Sequence, residues 1–367
     1  MILVTGGTGF VGQEVVKTLL SLGYKVRLLV RNPHRAHRFA GNPQIELIQG
    51  DVLRPETLPA AMIGVQAVIH LVGIIVETPK VSYEQAHVEA TRNLLAAAKN
   101  AGVTRWLQMS AAGTRPFATS RYHLTKWQAE QLVRRSGLDW TILRPSLIYG
   151  YDERDRLLNL IRRVLSKPFN FLTLYSFPLL DGGRSLIQPV SVREVAHCFA
   201  HGVSKEASIR ETFELVGPTP FSWRKMVLKI ATALGKTTVY EEVPLLLILR
   251  KLLWLTVVII PLVIIIGLIL SKFTLEEAEI GAAIWAVLVT VAARWRDVII
   301  FNIPGEPIRM MVEGLDAFLP QGLRFSDPLK MAAEDNIGDP LPAAETFGYK
   351  PESFDEGLAR ILNSTTP

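Results

Sequence analysis

The sequence predicts an α/β fold built on a doubly wound parallel sheet, and three observations lead to this class. Short strand-like runs alternate with segments whose apolar residues recur at helical spacing, which is typical of a parallel sheet with helices on both faces. A glycine-rich turn follows the first run directly, at residues 5–12. The chain has 367 residues, which is enough for a second lobe or further additions to that sheet.

Each predicted strand is a short apolar run bounded by turn residues or by a helical pattern. The helix after the glycine turn is expected to end at Gly23, and a buried helix over residues 88–98 is expected to end at Gly102. In chain order the predicted strands are residues 2–5, 25–30, 45–49, 67–72, 105–109 and 140–143.

The glycine turn reads Thr-Gly-Gly-Thr-Gly-Phe-Val-Gly and satisfies the spacing G-x-G-x-x-G. One glycine of this motif makes the tight turn, another lets the backbone approach a pyrophosphate, and Gly12 lets the next helix pack closely. The N–H groups that begin that helix then face the phosphates. We therefore predict a Rossmann-type dinucleotide site, with cofactor contacts from Gly6, Gly7, Thr8, Gly9, Phe10, Val11 and Gly12.

Further cofactor contacts are expected where the later strands end. Arg31 follows the second strand, where NAD-binding chains usually carry a carboxylate about 20 residues past the glycines. The guanidinium groups of Arg31 and Arg35 can pair with a 2′-phosphate, which favours NADP(H) over NAD(H). The alternative is that they are solvated loop cations. The other expected contacts are Asp51, for which an ordinary turn role is the alternative, Val52, Leu71, Val72 and Gly73.

A candidate catalytic set follows the fifth strand. Tyr122 and Lys126 form Y-x-x-x-K on a predicted helix, so both side chains lie on one face. The ammonium is expected to lower the pKa of the tyrosine, which then acts as acid or base, and to hold the nicotinamide ribose. Ser110 ends the fifth strand and is expected to bind a substrate carbonyl or hydroxyl. The histidines are scattered and predict no metal site, and His123 is expected on the helix surface.

These residues resemble the short-chain dehydrogenase/reductase superfamily, in its extended and atypical branches. Residues 144–150 are similar to the R-P-x-x-x-Y-G segment that closes the cofactor site in extended members, which implies a cofactor contact at Pro145. Residues 188–196 resemble the later P-V-x-V-x-D-V-A segment of those proteins. One departure is the sequence Met-Ser-Ala-Ala at 109–112 in place of a serine cluster, because a shifted alignment puts the catalytic position on Ala111.

Residues 213–218 and 331–336 are similar to the NAD(P)H-binding accessory subunit of respiratory complex I and its bacterial relatives. Such relatives resemble cofactor holders as much as catalysts. The resemblance leaves three functions open. They are an oxidoreductase for an apolar carbonyl or quinone-type substrate, a non-catalytic subunit of a respiratory or quinone-linked membrane complex, and a nucleotide-sugar epimerase or dehydratase.

Residues 252–270 carry no charge, and at 1.5 Å per residue they span about the 30 Å hydrocarbon core of a bilayer. A buried core helix is the alternative. A second uncharged run at 280–293 is ambiguous in length, but basic residues before the first run and after the second predict a membrane hairpin. The catalytic domain is then expected on the cytoplasmic side of the membrane.

The predicted domains follow from these features. Residues 1–150 bind NADP(H), residues 151–243 form a small substrate lobe, and residues 244–297 form the membrane segment, with helices at 252–270 and about 278–295. Residues 298–367 form a tail that packs back on the cytoplasmic domain. Apolar residues between 169 and 180 are expected either to line a substrate pocket or to form the core of the second lobe.

Composition restricts the kinds of partner that the protein is expected to bind. The net charge is +6, but no basic stripe with interleaved aromatic residues is present, so a membrane surface is a better partner than nucleic acid. The single cysteine, Cys198, excludes an intramolecular disulfide.

Overall fold

The computed structural model describes residues 1–150, 176–235, 238–241, 298–303, 305–316, 319 and 326–363. Its strands are β1 (Ile2–Thr5), β2 (Val26–Val30), β3 (Ile45–Gln49), β4 (Ala67–His70), β5 (Arg105–Met109), β6 (Asp139–Pro145), β7 (Ile148–Tyr149), β8 (Ser176–Leu180), β9 (Leu186–Ile187), β10 (Val190–Ser191), β11 (Glu211–Leu215), β12 (Phe221–Ser222), β13 (Thr238–Glu241) and β14 (Val298–Ile303). Its helices are α1 (Phe10–Ser21), α2 (Leu58–Met62), α3 (Ala90–Asn100), α4 (Arg121–Arg134), α5 (Val192–Gly202), α6 (Trp223–Ala233), α7 (Gly305–Asp316), α8 (Ser326–Ala333), α9 (Leu341–Phe347) and α10 (Phe354–Asn363).

Seven parallel strands form the main sheet within the described residues, in the order β11-β6-β5-β4-β1-β2-β3. Ile2 of β1 lies opposite Val26 of β2 on one side and Ala67 of β4 on the other. The strands β2 and β3 are therefore added on one side of β1, and β4 and the later strands on the other side. Ligands of such folds bind at the carboxyl ends of the strands where the strand order changes sides. The predicted doubly wound parallel sheet is confirmed.

Alternation along β1 divides the core between the two faces of the sheet. Ile2 and Val4 pack with apolar residues of α1 and α5, including Phe199. Leu3 instead packs with the cluster that α2 and α3 complete, including Trp106. Because both faces are covered, the inner strands β1, β2 and β4 are apolar at most positions, as the sequence of a buried parallel sheet requires.

Two elements differ in detail from the sequence prediction. The fourth strand ends at His70 instead of residue 72, although the N–H of Leu71 still donates to the carbonyl oxygen of Thr5 at 3.1 Å. The helix expected from residue 88 begins earlier, because a π turn, Glu84–Glu89, precedes α3. Such turns occur often at functional sites, and this one carries His87.

The C-terminal helices pack on the main sheet. Phe347 of α9 joins the core cluster of α1 and α5, and its carbonyl oxygen lies 2.9 Å from His197 Nε2. The N–H of Glu352 donates to Glu194 Oε1 at 2.6 Å. Residues near the C-terminus are therefore part of the same compact unit as the glycine turn.

The chain divides into two compact units, residues 1–156, 185–222 and 306–367 in the first and residues 157–184 and 223–305 in the second. Within the described part of the second unit, β13, β14 and β8 form a three-stranded parallel sheet. The N–H of Gly305, the first residue of α7, donates to Asp181 Oδ1 at 2.6 Å.

The described residues contain no helix that combines the length and the apolar composition needed to cross a bilayer. The membrane helices predicted at 252–270 and about 278–295 lie outside these residues, and so does most of the apolar stretch that begins at residue 169. The membrane hairpin and the apolar pocket therefore remain predictions.

Candidate functional site

The glycine turn is closed by its own backbone. Gly6 has a φ of +77°, which favours glycine, and the N–H of Gly9 donates to the carbonyl oxygen of Gly6 at 2.9 Å. A Cβ atom on Gly12 would collide with that same oxygen and would lie 2.6 Å from the Cα of Gly7. A Cβ atom on Gly7 would lie 2.7 Å from Leu28 Cδ2. The helix can therefore approach the turn only because these positions lack side chains.

The start of α1 faces outward from this turn. Gly9 is the N-cap residue and makes no side-chain hydrogen bond, so no side chain competes for the N–H groups at the helix start. Thr8 accepts a bond from Gln13 Nε2 through its carbonyl oxygen, Phe10 is half-buried, and Val11 belongs to the core. A close backbone and an uncapped helix start fit the pyrophosphate of a dinucleotide.

The predicted 2′-phosphate residues lie in the segment that follows β2. Arg31 directly follows β2 and is exposed, and Arg35 lies in a 3-10 segment, Pro33–Phe39. The guanidinium of the nearby Arg38 donates to Gln13 Oε1, on the helix that begins at the glycine turn. This bond places the guanidinium of Arg38 beside the first turn of α1.

Asp51 and Val52 have structural roles. Asp51 Oδ1 accepts a hydrogen bond from the N–H of Leu53 at 3.0 Å, which is the turn role that the sequence left open. Val52 is buried in the core, and its carbonyl oxygen accepts from Asn93 Nδ2 at 3.0 Å.

The segment after β4 lies against both the glycine turn and Lys126. A Cβ atom on Gly6 would lie 3.1 Å from the carbonyl carbon of Leu71 and 3.2 Å from the nitrogen of Val72. At Gly73 a Cβ atom would lie 2.9 Å from Lys126 Nζ. These three predicted cofactor residues therefore connect the glycine turn to the lysine of the candidate catalytic set.

Lys126 is buried at the centre of this site. It is 4% exposed, and its Nζ donates to the carbonyl oxygen of Met109, at the end of β5, at 3.2 Å. Burial lowers the pKa of Lys126 to about 8, although the Glu130 carboxylate acts in the opposite direction. The group therefore stays mostly protonated at neutral pH and can donate to a ribose hydroxyl.

Tyr122 lies one turn before Lys126 on α4 and is half-buried. Burial raises the pKa of Tyr122 to about 12. This direction is opposite to the lowering expected from Lys126, because burial disfavours the charged phenolate. The phenol is protonated at neutral pH.

Ser110 is the first residue after β5, and it is buried. Its N–H donates to the carbonyl oxygen of Leu143 at 2.8 Å, and its Oγ donates to Thr114 Oγ1 at 3.4 Å. The following turn is tied to the end of β6, since the N–H of Ala112 donates to the carbonyl oxygen of Pro145 at 2.9 Å. The predicted residues Ser110 and Pro145 therefore lie at neighbouring strand ends.

Sequence reasoning missed the aromatic groups around Tyr122. Ring centroids of His87 and Tyr83 lie 5.4 Å and 5.9 Å from that of Tyr122, both edge-on. His87 Nδ1 is 2.8 Å from Thr125 Oγ1, and its Nε2 is 3.3 Å from the nitrogen of Ile74. Burial, with the Lys126 charge, holds the pKa of His87 well below its usual value. No local pattern marks this histidine, which lies 38 positions before Thr125.

His123 is buried, so its predicted surface position is wrong. Its Nδ1 lies 3.0 Å from Ser120 Oγ and 3.5 Å from Glu334 Oε2. The C-terminal segment covers this face of α4, and a contact of that range leaves no trace in the helix's own sequence.

A polar cavity of about 280 Å³ lies beside Tyr83. An ion pair between Arg121 and Glu77, at 2.9 Å, lies at its wall, as does one between Lys330 and Glu313, at 2.9 Å. Four carboxylates and two basic groups are among the lining residues, which are Glu77, Tyr83, Arg121, Glu313, Asp316, Ser326, Asp327 and Lys330. Within the described residues no three His, Cys, Asp or Glu side chains group as metal ligands.

Comparison with known proteins agrees with this site. Residues 6–160 match the family described as NAD(P)H-binding. The chain is 28% identical over 247 residues to the NAD(P)H azoreductase of Xenophilus azovorans. This match covers 67% of this chain and 78% of that protein. It is 30% identical over 231 residues to NADH dehydrogenase (ubiquinone) 1 alpha subcomplex subunit 9 of Arabidopsis thaliana mitochondria. That match covers 61% of this chain, which spans just over half, 55%, of the plant subunit.

Solved structures show the same fold. The NADPH complex of an NADPH-dependent quinone oxidoreductase from Escherichia coli superposes with a TM-score of 0.64 at 17% identity, over 99% of this chain and all of that chain. A dTDP-glucose 4,6-dehydratase from Streptomyces venezuelae gives a TM-score of 0.54 at 22% identity, over 64% of this chain and 81% of that one. The predicted resemblance to NAD(P)H-binding, short-chain dehydrogenase-like proteins, including the complex I subunit, is confirmed.

Proposed function

We propose that this chain is a membrane-anchored oxidoreductase that uses NADP(H), since residues 6–160 match the family described as NAD(P)H-binding. It reduces a carbonyl or quinone-type substrate associated with the membrane. Tyr122 is the proton donor, Lys126 binds the nicotinamide ribose, and Ser110 orients the substrate oxygen.

One observation carries the proposal: Lys126 Nζ lies where the end of β5 meets the segment that follows β4. It bonds to Met109 at the end of β5 and would meet a Cβ on Gly73, which follows the strand next to the glycine turn. A cofactor bound at the carboxyl ends of β1 and β4 passes this point. An ammonium buried there needs a hydroxyl acceptor, and a ribose supplies one.

The protonation states support reduction. When bound, NADPH supplies the hydride that reduces the substrate carbon. Since the pKa of Tyr122 is about 12, its hydroxyl holds a proton at neutral pH and can transfer it to the substrate oxygen. Lys126 then stabilises the resulting phenolate, until a proton from solvent restores the phenol.

The anchoring and the substrate class rest on the sequence and on the relatives. Residues 252–270 have the length and apolarity of a membrane helix. The Xenophilus relative is named for azo reduction, and the plant relative belongs to a ubiquinone-linked enzyme. Recovery of the full chain in the soluble fraction, without detergent, would contradict the anchoring.

A second candidate function is a cofactor-holding subunit without turnover. The plant relative favours it, and so does the raised pKa of Tyr122, because a phenol that ionises only with difficulty is a weak proton donor. The third reading, a nucleotide-sugar epimerase or dehydratase, is less well supported. The carboxylates around the cavity beside Tyr83 disfavour the diphosphate of such a substrate.

Removal of one hydroxyl group distinguishes the first two functions. The full chain in mild detergent is assayed for NADPH oxidation with a quinone, an azo dye and an aromatic ketone. We expect Tyr122→Phe to lower kcat by about 100- to 10,000-fold, the contribution of a general acid, with no change in the dissociation constant of NADPH.

Tyr24→Phe is the matched control. Tyr24 is partly buried beside the core of α1, away from the site, and should keep wild-type turnover. Wild-type turnover in Tyr122→Phe would reject the catalytic assignment and favour the cofactor-holding function.

A further inference from the structure

The helix that carries Tyr122 is capped by a residue from the far end of the chain. Asp327 Oδ1 accepts a hydrogen bond from the N–H of Arg121 at 2.6 Å, and its Oδ2 accepts from the N–H of Tyr122 at 3.1 Å. The helix's own N-cap residue, Ser120, accepts from the N–H of His123 at 3.1 Å. Two groups that lie far apart in the sequence therefore share the N–H groups that begin α4.

A second carboxylate of the same segment holds the loop before the helix. Glu334 Oε2 pairs with Arg115 Nη1 at 3.0 Å and lies 3.5 Å from His123 Nδ1. Its other oxygen accepts from the hydroxyl of Thr119. These contacts span the loop that connects Ser110 to the helix, so one side chain ties the loop and the first turn of α4 together.

The segment that carries both carboxylates is fixed to the sheet. The N–H of Asn336 donates to the carbonyl oxygen of Leu186 at 2.8 Å, and Ser146 Oγ donates to the carbonyl oxygen of Asn336 at 2.9 Å. Asp335 Oδ1 accepts from the N–H of Leu186 at 2.7 Å. Because Ser146 directly follows β6, the segment is anchored at the same sheet edge as Ser110 and Lys126.

We propose that Asp327 and Glu334 are positioning residues that set the place of Tyr122 for proton transfer. The inference rests on the proposed function, in which Tyr122 is the proton donor. Charge-assisted hydrogen bonds to a helix start are strong and directional. Neither carboxylate contacts the glycine turn in the described structure, so cofactor binding does not depend on them. Residues 326–336 are thus required for turnover at a site built mostly by residues 1–150.

Asparagine and glutamine test this without a change in size. In Asp327→Asn an NH2 group replaces one of the two oxygens, so the N–H that faced this oxygen loses its acceptor. Glu334→Gln removes the charge that pairs with Arg115. Glu345→Gln is the matched control, because Glu345 is an exposed carboxylate of the same C-terminal region, on α9.

The full chain in mild detergent is measured in three ways: kcat and KM with the substrate panel, the dissociation constant of NADPH, and amide hydrogen exchange of the peptide covering residues 111–126. A small displacement of a reacting group costs up to about 100-fold. We therefore expect Asp327→Asn and Glu334→Gln to lower kcat by roughly 10- to 100-fold and to speed exchange in that peptide. KM and the NADPH constant should stay at the values of Glu345→Gln, and the midpoint of thermal unfolding should fall by only a few degrees, because each lost contact contributes only a small part of the free energy of unfolding.

The outcomes separate this inference from the proposed function. If the wild-type protein turns over no substrate of the panel, the proposed function fails, and faster exchange in both variants alone supports the positioning of α4. Variants that match Glu345→Gln in kcat and exchange would overturn the inference. A parallel loss of NADPH affinity and thermal stability would also overturn it, because that result indicates a general structural role.

Discussion

The glycine turn and the helix that carries Tyr122 lie along one edge of the same sheet, but contacts of different range hold them. The turn is closed by the bond from Gly9 to Gly6 and by the direct approach of Gly12, all within eight residues of sequence, 5–12. The start of the helix is held by Asp327, 205 positions away from Tyr122. Local sequence therefore builds the phosphate half of the site, and the fold of the whole unit builds the catalytic half.

This difference predicts which property is lost when a residue of each half is substituted. A substitution in the turn meets backbone atoms that cannot move, so it should affect cofactor binding itself. A substitution around α4 meets side chains and should change turnover or pH dependence while the cofactor still binds. Three substitutions test the contrast, in order of decreasing expected effect.

Gly12→Ala should have the largest effect. Its methyl group would collide with the Gly6 oxygen and lie 2.6 Å from Gly7 Cα, so α1 must move away from the turn. Strain of this kind costs about 1–3 kcal/mol, and the N–H groups that face the phosphates move as well. We expect the dissociation constant of NADPH, measured by fluorescence titration, to rise roughly 100-fold.

Gly314→Ala is the control for this test. Gly314 lies in α7, and a methyl group there would meet no atom within 4 Å. It should bind NADPH as the wild-type protein does. Near-normal affinity in Gly12→Ala would show that the turn does not form the phosphate site.

Lys126→Met tests the buried cation. The pKa of Lys126 falls from 10.5 to about 8 on folding, so the charged form opposes folding by about 3 kcal/mol, at 1.36 kcal/mol per pKa unit. This cost is fully present below pH 8 and disappears as the pH rises towards 10.5. We expect the variant to unfold in urea with about 3 kcal/mol more stability at pH 7 without cofactor, and to lose turnover.

The pH dependence gives the sharper result. In the wild-type protein the free energy of unfolding should gain a component that rises between about pH 8 and 10.5, and Lys126→Met should lack it. Lys99→Met, an exposed substitution at the end of α3, should keep that component. An unchanged slope in Lys126→Met would mean that the lysine is not buried as a cation.

The same difference between short-range and long-range contacts explains which features could be predicted from the sequence. Periodicity and the glycine spacing predicted the turn and six of the seven strands of the parallel sheet, because each depends on residues close in sequence, but they missed β11. Y-x-x-x-K predicted that Tyr122 and Lys126 share a face, but the direction of the tyrosine pKa depends on burial by His87 and other remote groups. The contacts of Asp327 and Glu334 have no local signature, although residues 331–336 were already recognisable by resemblance.

Arg31→Glu should have the smallest effect, and it tests whether cofactor choice belongs to the local half of the site. Arg31 is exposed at the end of β2, so each ionic contact contributes only about 1 kcal/mol. A carboxylate there repels a 2′-phosphate and can accept from a ribose hydroxyl. We expect the ratio of NADH to NADPH affinity to rise roughly tenfold at low ionic strength, with kcat little changed.

Arg92→Glu makes the same charge change on the exposed face of α3 and should leave the ratio unaltered. Equal shifts in the two variants would assign the effect to net charge, and no shift in either would place the 2′-phosphate away from β2.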